Sequence, residues 1–113
     1  MQISRKEDGK SIVFQIKGDV IGPAIVQLCK VIERERESEY KLVLLDLSAV
    51  QELDSGAIGG LIYSDTILRK RKNRLAVTAA SESVMQLLEA CSSQGLLDVQ
   101  PNPALSEADK RDS

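Results

Sequence analysis

Between residues 42 and 61 the chain reads Leu42-Val-Leu-Leu-Asp-Leu-Ser-Ala-Val-Gln-Glu-Leu-Asp-Ser-Gly-Ala-Ile-Gly-Gly-Leu61, an apolar run that gives way to a helical pattern. The run from Leu42 to Leu47 is broken only by Asp46, which is typical of a parallel strand buried on both faces. After a turn over residues 46–52, apolar side chains recur at helical spacing at Ile58, Leu61, Ile62 and Leu68. The stretch therefore predicts a core strand, a turn and a helix with one apolar stripe.

Ser55 falls at the junction between that strand and that helix. Asp54 is a residue type that caps helix N-termini, and it stands just before the periodic run. The carboxyl end of a core strand is the edge at which open α/β sheets bind ligands and partners. Free backbone N–H groups favour an added negative charge there, whereas the neighbouring Asp46, Glu52 and Asp54 repel one. These features fit either a simple helix cap or an exposed hydroxyl that a partner modifies.

The motif around Ser55 resembles the signature of the STAS domain. Asp46-Leu-Ser-Ala-Val, followed by Leu53-Asp-Ser-Gly-Ala-Ile-Gly, is similar to a strand ending in D-[LV]-S and then apolar-D-[ST]-[ST]-G-[LIV]-G. The family includes bacterial anti-sigma-factor antagonists and the cytoplasmic ends of sulphate transporters. In the antagonists, the first hydroxyl residue after the Asp is phosphorylated by the partner kinase, the anti-sigma factor. The resemblance therefore implies that Ser55 is the phosphorylation site, and Gly56 replaces the second hydroxyl of the motif.

A second loop also resembles the family. Gly18-Asp19-Val20 matches the G-[ED]-[LIV] that follows the second strand, although Ile21 stands where antagonists usually carry an Asp. In the family this loop lies beside the phosphorylation site and contributes to binding the kinase. The missing carboxylate therefore puts the usual contact with the kinase in doubt, but not the fold. The partner-binding residues that the resemblance implies are Asp19, Ile21, Gly22, Pro23, Asp54, Ser55 and Gly56. Gly22-Pro23 fits the start of a helix equally well.

The remaining patterns predict an α/β fold with a mixed four- to five-stranded sheet and helices mostly on one face. Residues 1–100 are expected to form one STAS-like domain, and residues 101–113 a polar, flexible C-terminal tail. The predicted elements are an edge strand Met1–Ser4, a strand Ile12–Ile16, a helix opened by Pro23, the strand Leu42–Leu47, a helix from Ser55 to Arg71, a strand Arg74–Thr78, a helix with Val84, Leu87, Leu88 and Cys91 on its apolar face, and a last extended segment Leu96–Val99.

Composition limits the function to classes other than nucleic-acid binding. The 113 residues suffice for a single core, and 15 basic against 17 acidic residues give a net charge of −2. A phosphate-backbone binder is expected to be basic, and aromatic side chains on which bases stack make up only 3% of the chain. The sequence therefore argues against a nucleic-acid partner.

Catalytic and metal-binding patterns are missing from the sequence. It has no histidine, no Gly-x-Ser-x-Gly and no phosphate-binding loop, and its two cysteines, Cys29 and Cys91, fit small hydrophobic positions better than a metal site. We therefore expect no enzyme activity, no cofactor and no metal. No apolar run approaches the ~18 residues of a membrane span, and the first residues lack a signal-peptide core. These features predict a cytoplasmic protein that does not insert into membranes.

Three features have competing interpretations. Asp46 resembles the phospho-acceptor of a response-regulator receiver, but the acidic cluster and the late lysine of that chemistry are missing, which favours a structural Asp46. Gly56-Ala-Ile-Gly-Gly60 lacks a lysine and is interpreted as close packing of the helix on the sheet rather than as a nucleotide cradle. The basic run Arg69–Lys72 either neutralises a helix C-terminus or docks an acidic partner.

Two functions remain open. In the first, the protein is an anti-sigma-factor antagonist of a bacterial partner-switching pathway that regulates transcription, with an anti-sigma serine kinase and a phosphatase as partners. In the second, it is a non-phosphorylated accessory subunit of a membrane transport complex, of the lipid-transport ABC type. Either is expected to act as a monomer or, if the early edge strand is left unpaired, as a weak homodimer through that strand.

Overall fold

The computed structural model describes residues 1–79 and 81–100, so the predicted tail over residues 101–113 lies outside the described residues. Within them the chain forms five strands and three α-helices, with one 3-10 turn after the first helix. Their bounds are β1 Gln2–Asp8, β2 Ser11–Lys17, α1 Ala24–Glu33, the 3-10 turn Arg34–Glu37, β3 Leu42–Ala49, α2 Ser55–Arg69, β4 Arg74–Ala79, α3 Glu82–Ser93 and β5 Asp98–Val99.

The five strands form one mixed sheet in the order β1-β2-β3-β4-β5. The β1–β2 hairpin is antiparallel, and the three other pairs are parallel. Each parallel connection advances by one strand in the same direction, and right-handed crossovers then place all three helices on the same face. The predicted α/β class, with a mixed sheet and helices on one face, is confirmed.

The core lies between that face of the sheet and the helices. Val43, Leu45 and Leu47 of β3 are fully buried in one cluster with side chains of all three helices. Leu42, Leu44 and Asp46, on the opposite face of β3, are only half-buried. The prediction of a strand buried on both faces is therefore wrong, because the helices cover one side only. The strand also runs on to Ala49, beyond the predicted Leu47.

Two helix boundaries differ from those predicted. Pro23 is the residue before α1 rather than part of its first turn, with φ −69° and ψ −9°. Helix α2 ends at Arg69 instead of Arg71, because the backbone N–H groups of Lys72 and Asn73 both turn back to carbonyls of the last helical turn. This reversal places Lys72 in the left-handed region, at φ +64°.

Helices α1 and α2 approach each other closely at Gly60. A Cβ atom built on Gly60 would overlap Ile25 Cγ1 and lie 3.0 Å from Ile25 Cδ1 and 3.1 Å from Cys29 Sγ. The Cys29 thiol donates a hydrogen bond of 3.4 Å to the carbonyl oxygen of Gly60. The glycine-rich stretch was predicted to bring α2 close to the sheet, but the close contact at Gly60 is with α1.

Replacing Lys72 with glycine is expected to stabilise the protein. Glycine adopts a positive φ without a steric penalty, whereas an L side chain there costs about 1 kcal/mol. Since the Lys72 side chain is exposed, Lys72→Gly should raise the free energy of unfolding in urea by up to about 1 kcal/mol. Lys70, with φ −62°, is the matched control, because Lys70→Gly should lower that free energy. A loss of stability in both variants would contradict the prediction.

Candidate functional site

The site consists of two loops that meet at the carboxyl end of the parallel strands. Residues 18–23 connect β2 to α1, residues 50–54 connect β3 to α2, and β2 lies next to β3 in the sheet. Val20 and Leu53, both buried, form a parallel bridge between the two loops. The Val20 N–H donates to the Glu52 oxygen at 3.0 Å, and the Asp54 N–H donates to the Val20 oxygen at 3.4 Å. The two loops therefore form one backbone-bonded unit.

Two aspartates add side-chain bonds between the loops. Asp19 Oδ1 accepts a hydrogen bond from the Glu52 N–H at 3.2 Å. Asp54 Oδ2 accepts a hydrogen bond from the Gly22 N–H at 2.8 Å, and Gly22 has a left-handed backbone with φ +57°. An L side chain at Gly22 would be strained in this conformation, so glycine suits the position.

Asp54 also caps α2. Its backbone is extended, with φ −90° and ψ 173°, and its Oδ1 accepts a hydrogen bond from the Ala57 N–H at 2.8 Å. The predicted capping role is confirmed. The N–H groups of Gly22 and then of Ala57 stabilise the carboxylate and hold the pKa of Asp54 below its ordinary value. One carboxylate thus fixes both the start of α2 and the neighbouring loop.

Ser55 is the first residue of α2, and its side chain is exposed. Within the described part of the chain, its hydroxyl takes part in none of the side-chain hydrogen bonds. Gly56 is exposed as well, and a Cβ built there has Asp54 Oδ1, at 3.4 Å, as its nearest neighbour. The fold itself therefore does not require glycine at position 56.

The predicted partner-binding residues come together in this unit. Asp19, Ile21, Gly22 and Pro23 lie on the first loop, and Asp54, Ser55 and Gly56 lie at the start of α2. All of them are exposed except Asp54, which is half-buried. Their contact with a partner stays a prediction.

Asp46 makes local contacts. Its Oδ1 accepts hydrogen bonds from the backbone N–H and the hydroxyl of Ser48, at 3.0 and 2.5 Å. These bonds agree with the structural role predicted for Asp46, although both residues lie within β3 instead of in a turn. Among the described residues, no three Asp, Glu or Cys side chains are grouped as metal ligands.

A groove of about 250 Å3 lies beside Asp54, between the two loops and α3. Its apolar walls include Ile21 and Leu87, which are 44% and 46% exposed. Leu87 was predicted to face the core, which is wrong: Val84 and Leu88 are buried, and Leu87 lies at the edge of their stripe. Sequence reasoning missed the groove because Leu87 has the spacing of a core residue.

The fold and the exposed serine at the start of its second helix define an α/β domain of the STAS type. The chain belongs to the STAS domain family, whose family model matches residues 2–108. No curated protein matches the chain at a significant level of sequence similarity. In the described part of the chain, no helix has both the length and the apolar composition needed to cross a bilayer.

Several solved structures share the fold at low sequence identity. An anti-sigma factor antagonist from Mycobacterium paratuberculosis is 18% identical, with a TM-score of 0.71 and coverage of 97% of this chain and 93% of the other. A candidate antagonist from Thermotoga maritima is 16% identical, with a TM-score of 0.75 and coverage of 96% and 92%. The Bacillus cell fate determinant SpoIIAA in its phosphorylated form is 11% identical, with a TM-score of 0.68 and coverage of 96% and 98%.

Proposed function

We propose that this protein is an anti-sigma-factor antagonist whose docking on an anti-sigma kinase is controlled by phosphorylation of Ser55. The observation that carries the proposal is the exposed Ser55 at the start of α2, next to the two loops that Asp54 joins. The family membership and the fold shared with SpoIIAA, solved in unphosphorylated and phosphorylated forms, support it.

The electrostatics of the site suit a switch. A phosphate on Ser55 adds about −1.5 to −2 charges at neutral pH. The first backbone N–H groups of α2 favour that charge, whereas the carboxylates of Asp54 and Glu52 stand close to it in sequence. An apolar or acidic partner surface that fits the unmodified site is expelled by the hydrated phosphate.

The proposed partner surface includes Asp19, Ile21, Gly22 and Pro23 around Ser55. The protein binds its partners and does not turn over a substrate. It acts in a bacterial cytoplasm, where a kinase phosphorylates Ser55 and a phosphatase restores the unmodified serine. The change between these two forms regulates transcription, and the protein itself does not contact nucleic acid.

The test is phosphate transfer measured by intact mass. The protein is incubated with ATP and each candidate anti-sigma kinase from the same organism. The wild type is expected to gain one phosphate, and Ser55→Ala none. Ser48→Ala is the matched control, because the Ser48 hydroxyl is already bonded to Asp46, and it should be phosphorylated like the wild type. A gain of phosphate by Ser55→Ala would contradict Ser55 as the acceptor.

The accessory subunit of a lipid-transport ABC complex is the second candidate. It is favoured by Ile21, which exposes an apolar side chain where the resemblance leads us to expect a carboxylate. If no kinase transfers phosphate to the wild type, the switch proposal fails. A pull-down with the wild type and with the site variants Ile21→Asp and Ser55→Asp then tests for a constitutive membrane-complex partner.

A further inference from the structure

We propose that the cationic cluster at the far end of α2 is a second docking surface, and that it binds an acidic segment of a partner protein. The cluster is defined by six exposed side chains: Lys41, Arg69, Lys70, Arg71, Lys72 and Arg74. This proposal goes beyond the function of Ser55 and does not depend on it.

The cluster lies at the amino ends of β3 and β4, and Ser55 lies at the opposite, carboxyl end of the strands. Lys41 precedes the first residue of β3, Arg74 is the first residue of β4, and α2 runs from Ser55 to Arg69. Fifteen helical residues span about 22 Å. Since this distance exceeds the ~10 Å screening length at 0.1 M salt, the cluster is electrically separate from the phosphorylation site.

The positive charge of the cluster is only partly neutralised. Its three arginines form ion pairs: Arg69 with Asp65, Arg71 with Glu37 and Arg74 with Asp98. Among the described residues, the three lysines form no ion pair. Three unpaired cations at one edge of a chain whose net charge is −2 concentrate positive charge there.

Neutralising the dipole of α2 accounts for only part of this charge. Lys41, just before β3, and Arg74, the first residue of β4, lie outside the helix. Lys72 occupies the left-handed position after α2, where glycine is the better residue for the fold. Lysine, like any residue with a side chain, therefore costs stability in this conformation, which points to a role outside folding.

The shape of the cluster fits an extended acidic segment better than a compact phosphate. Lys41, Arg69, Lys72 and Arg74 line an open depression of about 400 Å3, with Asn73 also in its wall. The backbone N–H groups of Lys72, Asn73 and Arg74 are all used within the chain, so no preformed ring of N–H donors surrounds an anion. The contacts come from long side chains spread over the surface, which match several carboxylates along a segment.

The test measures binding of a fluorescently labelled polyglutamate peptide at 0.1 M salt, where charges more than ~10 Å apart are screened from each other. Lys41→Gln/Lys72→Gln should weaken binding roughly fivefold, since each exposed ion pair contributes modestly. Lys6→Gln/Lys17→Gln removes the same charge from exposed positions outside the cluster and should leave binding unchanged. Ser55→Ala should also bind like the wild type. Higher salt should weaken binding by the wild type.

Three outcomes would overturn the proposal. The wild type does not bind the peptide, both double variants lose affinity equally, or the protein prefers phosphatidylglycerol vesicles to the peptide. Lys72→Gly separates docking from folding, because it should bind the peptide more weakly while being more stable. If Lys72→Gly gains stability with unchanged binding, Lys72 takes no part in docking and the proposed surface is wrong.

Discussion

Replacing Gly60 with alanine is expected to destabilise the protein, whereas the same change at the adjacent Gly59 is expected to stabilise it. Both glycines lie inside α2, where alanine is favoured over glycine by about 1 kcal/mol. A Cβ on Gly59 meets no atom within 4 Å, so that gain is kept. A Cβ on Gly60 overlaps Ile25 of α1, and overpacking of this kind costs about 1–3 kcal/mol.

The two variants should therefore differ by roughly 2 kcal/mol in the free energy of unfolding, measured in urea. Ile25→Ala removes the side chain that the new methyl group overlaps. The double variant Ile25→Ala/Gly60→Ala should consequently be more stable than the sum of the two single changes predicts. Gly60→Ala and Gly59→Ala could instead stabilise the protein equally. That result would mean that α1 shifts away from the new methyl group at no cost in free energy, and that the close contact does not constrain the fold.

The local parts of the fold were predictable because they depend on short patterns. A short apolar run, a capping Asp54 and a helical stripe are close together in sequence, and they identified β3, the start of α2 and the exposed position of Ser55. The predictions failed where distant elements decide the outcome. The contact of Gly60 with Ile25 depends on the angle between two helices. One face of β3 is half-exposed because all crossover connections have the same handedness and place the helices on the other face.

The bonds that join the two loops were beyond sequence reasoning for the same reason. Asp54 and Gly22 are separated by 32 positions, and Asp19 and Glu52 by 33. Local propensity says nothing about such pairs, since they form only when parallel strands bring their following loops side by side. The resemblance placed both loops beside the phosphorylation site but did not indicate which atoms connect them.

Asp54→Asn is expected to weaken the hydrogen bonds that hold both loops. It should also make the stability of the protein less dependent on pH in the acid range. The carboxylate accepts hydrogen bonds from Gly22 and Ala57, and these bonds hold its pKa below the ordinary 3.8. A lowered pKa in the folded state means that the charged form stabilises the fold above pH 3.8. That contribution is lost as the pH falls through the lowered value.

Thermal melting of wild type and Asp54→Asn over a range of pH measures this contribution. At neutral pH the variant should melt at a lower temperature, and the gap should narrow as the pH falls below 3.8. Asp54→Ala, which also loses the helix cap, should lower the melting temperature by roughly 5 °C. Asp19→Asn is the matched control, because Asp19 accepts one hydrogen bond, at 3.2 Å, and caps no helix. The difference in melting temperature between wild type and Asp54→Asn could instead stay constant down to the pH of acid unfolding. That result would show that the charge of Asp54 does not hold the loops together.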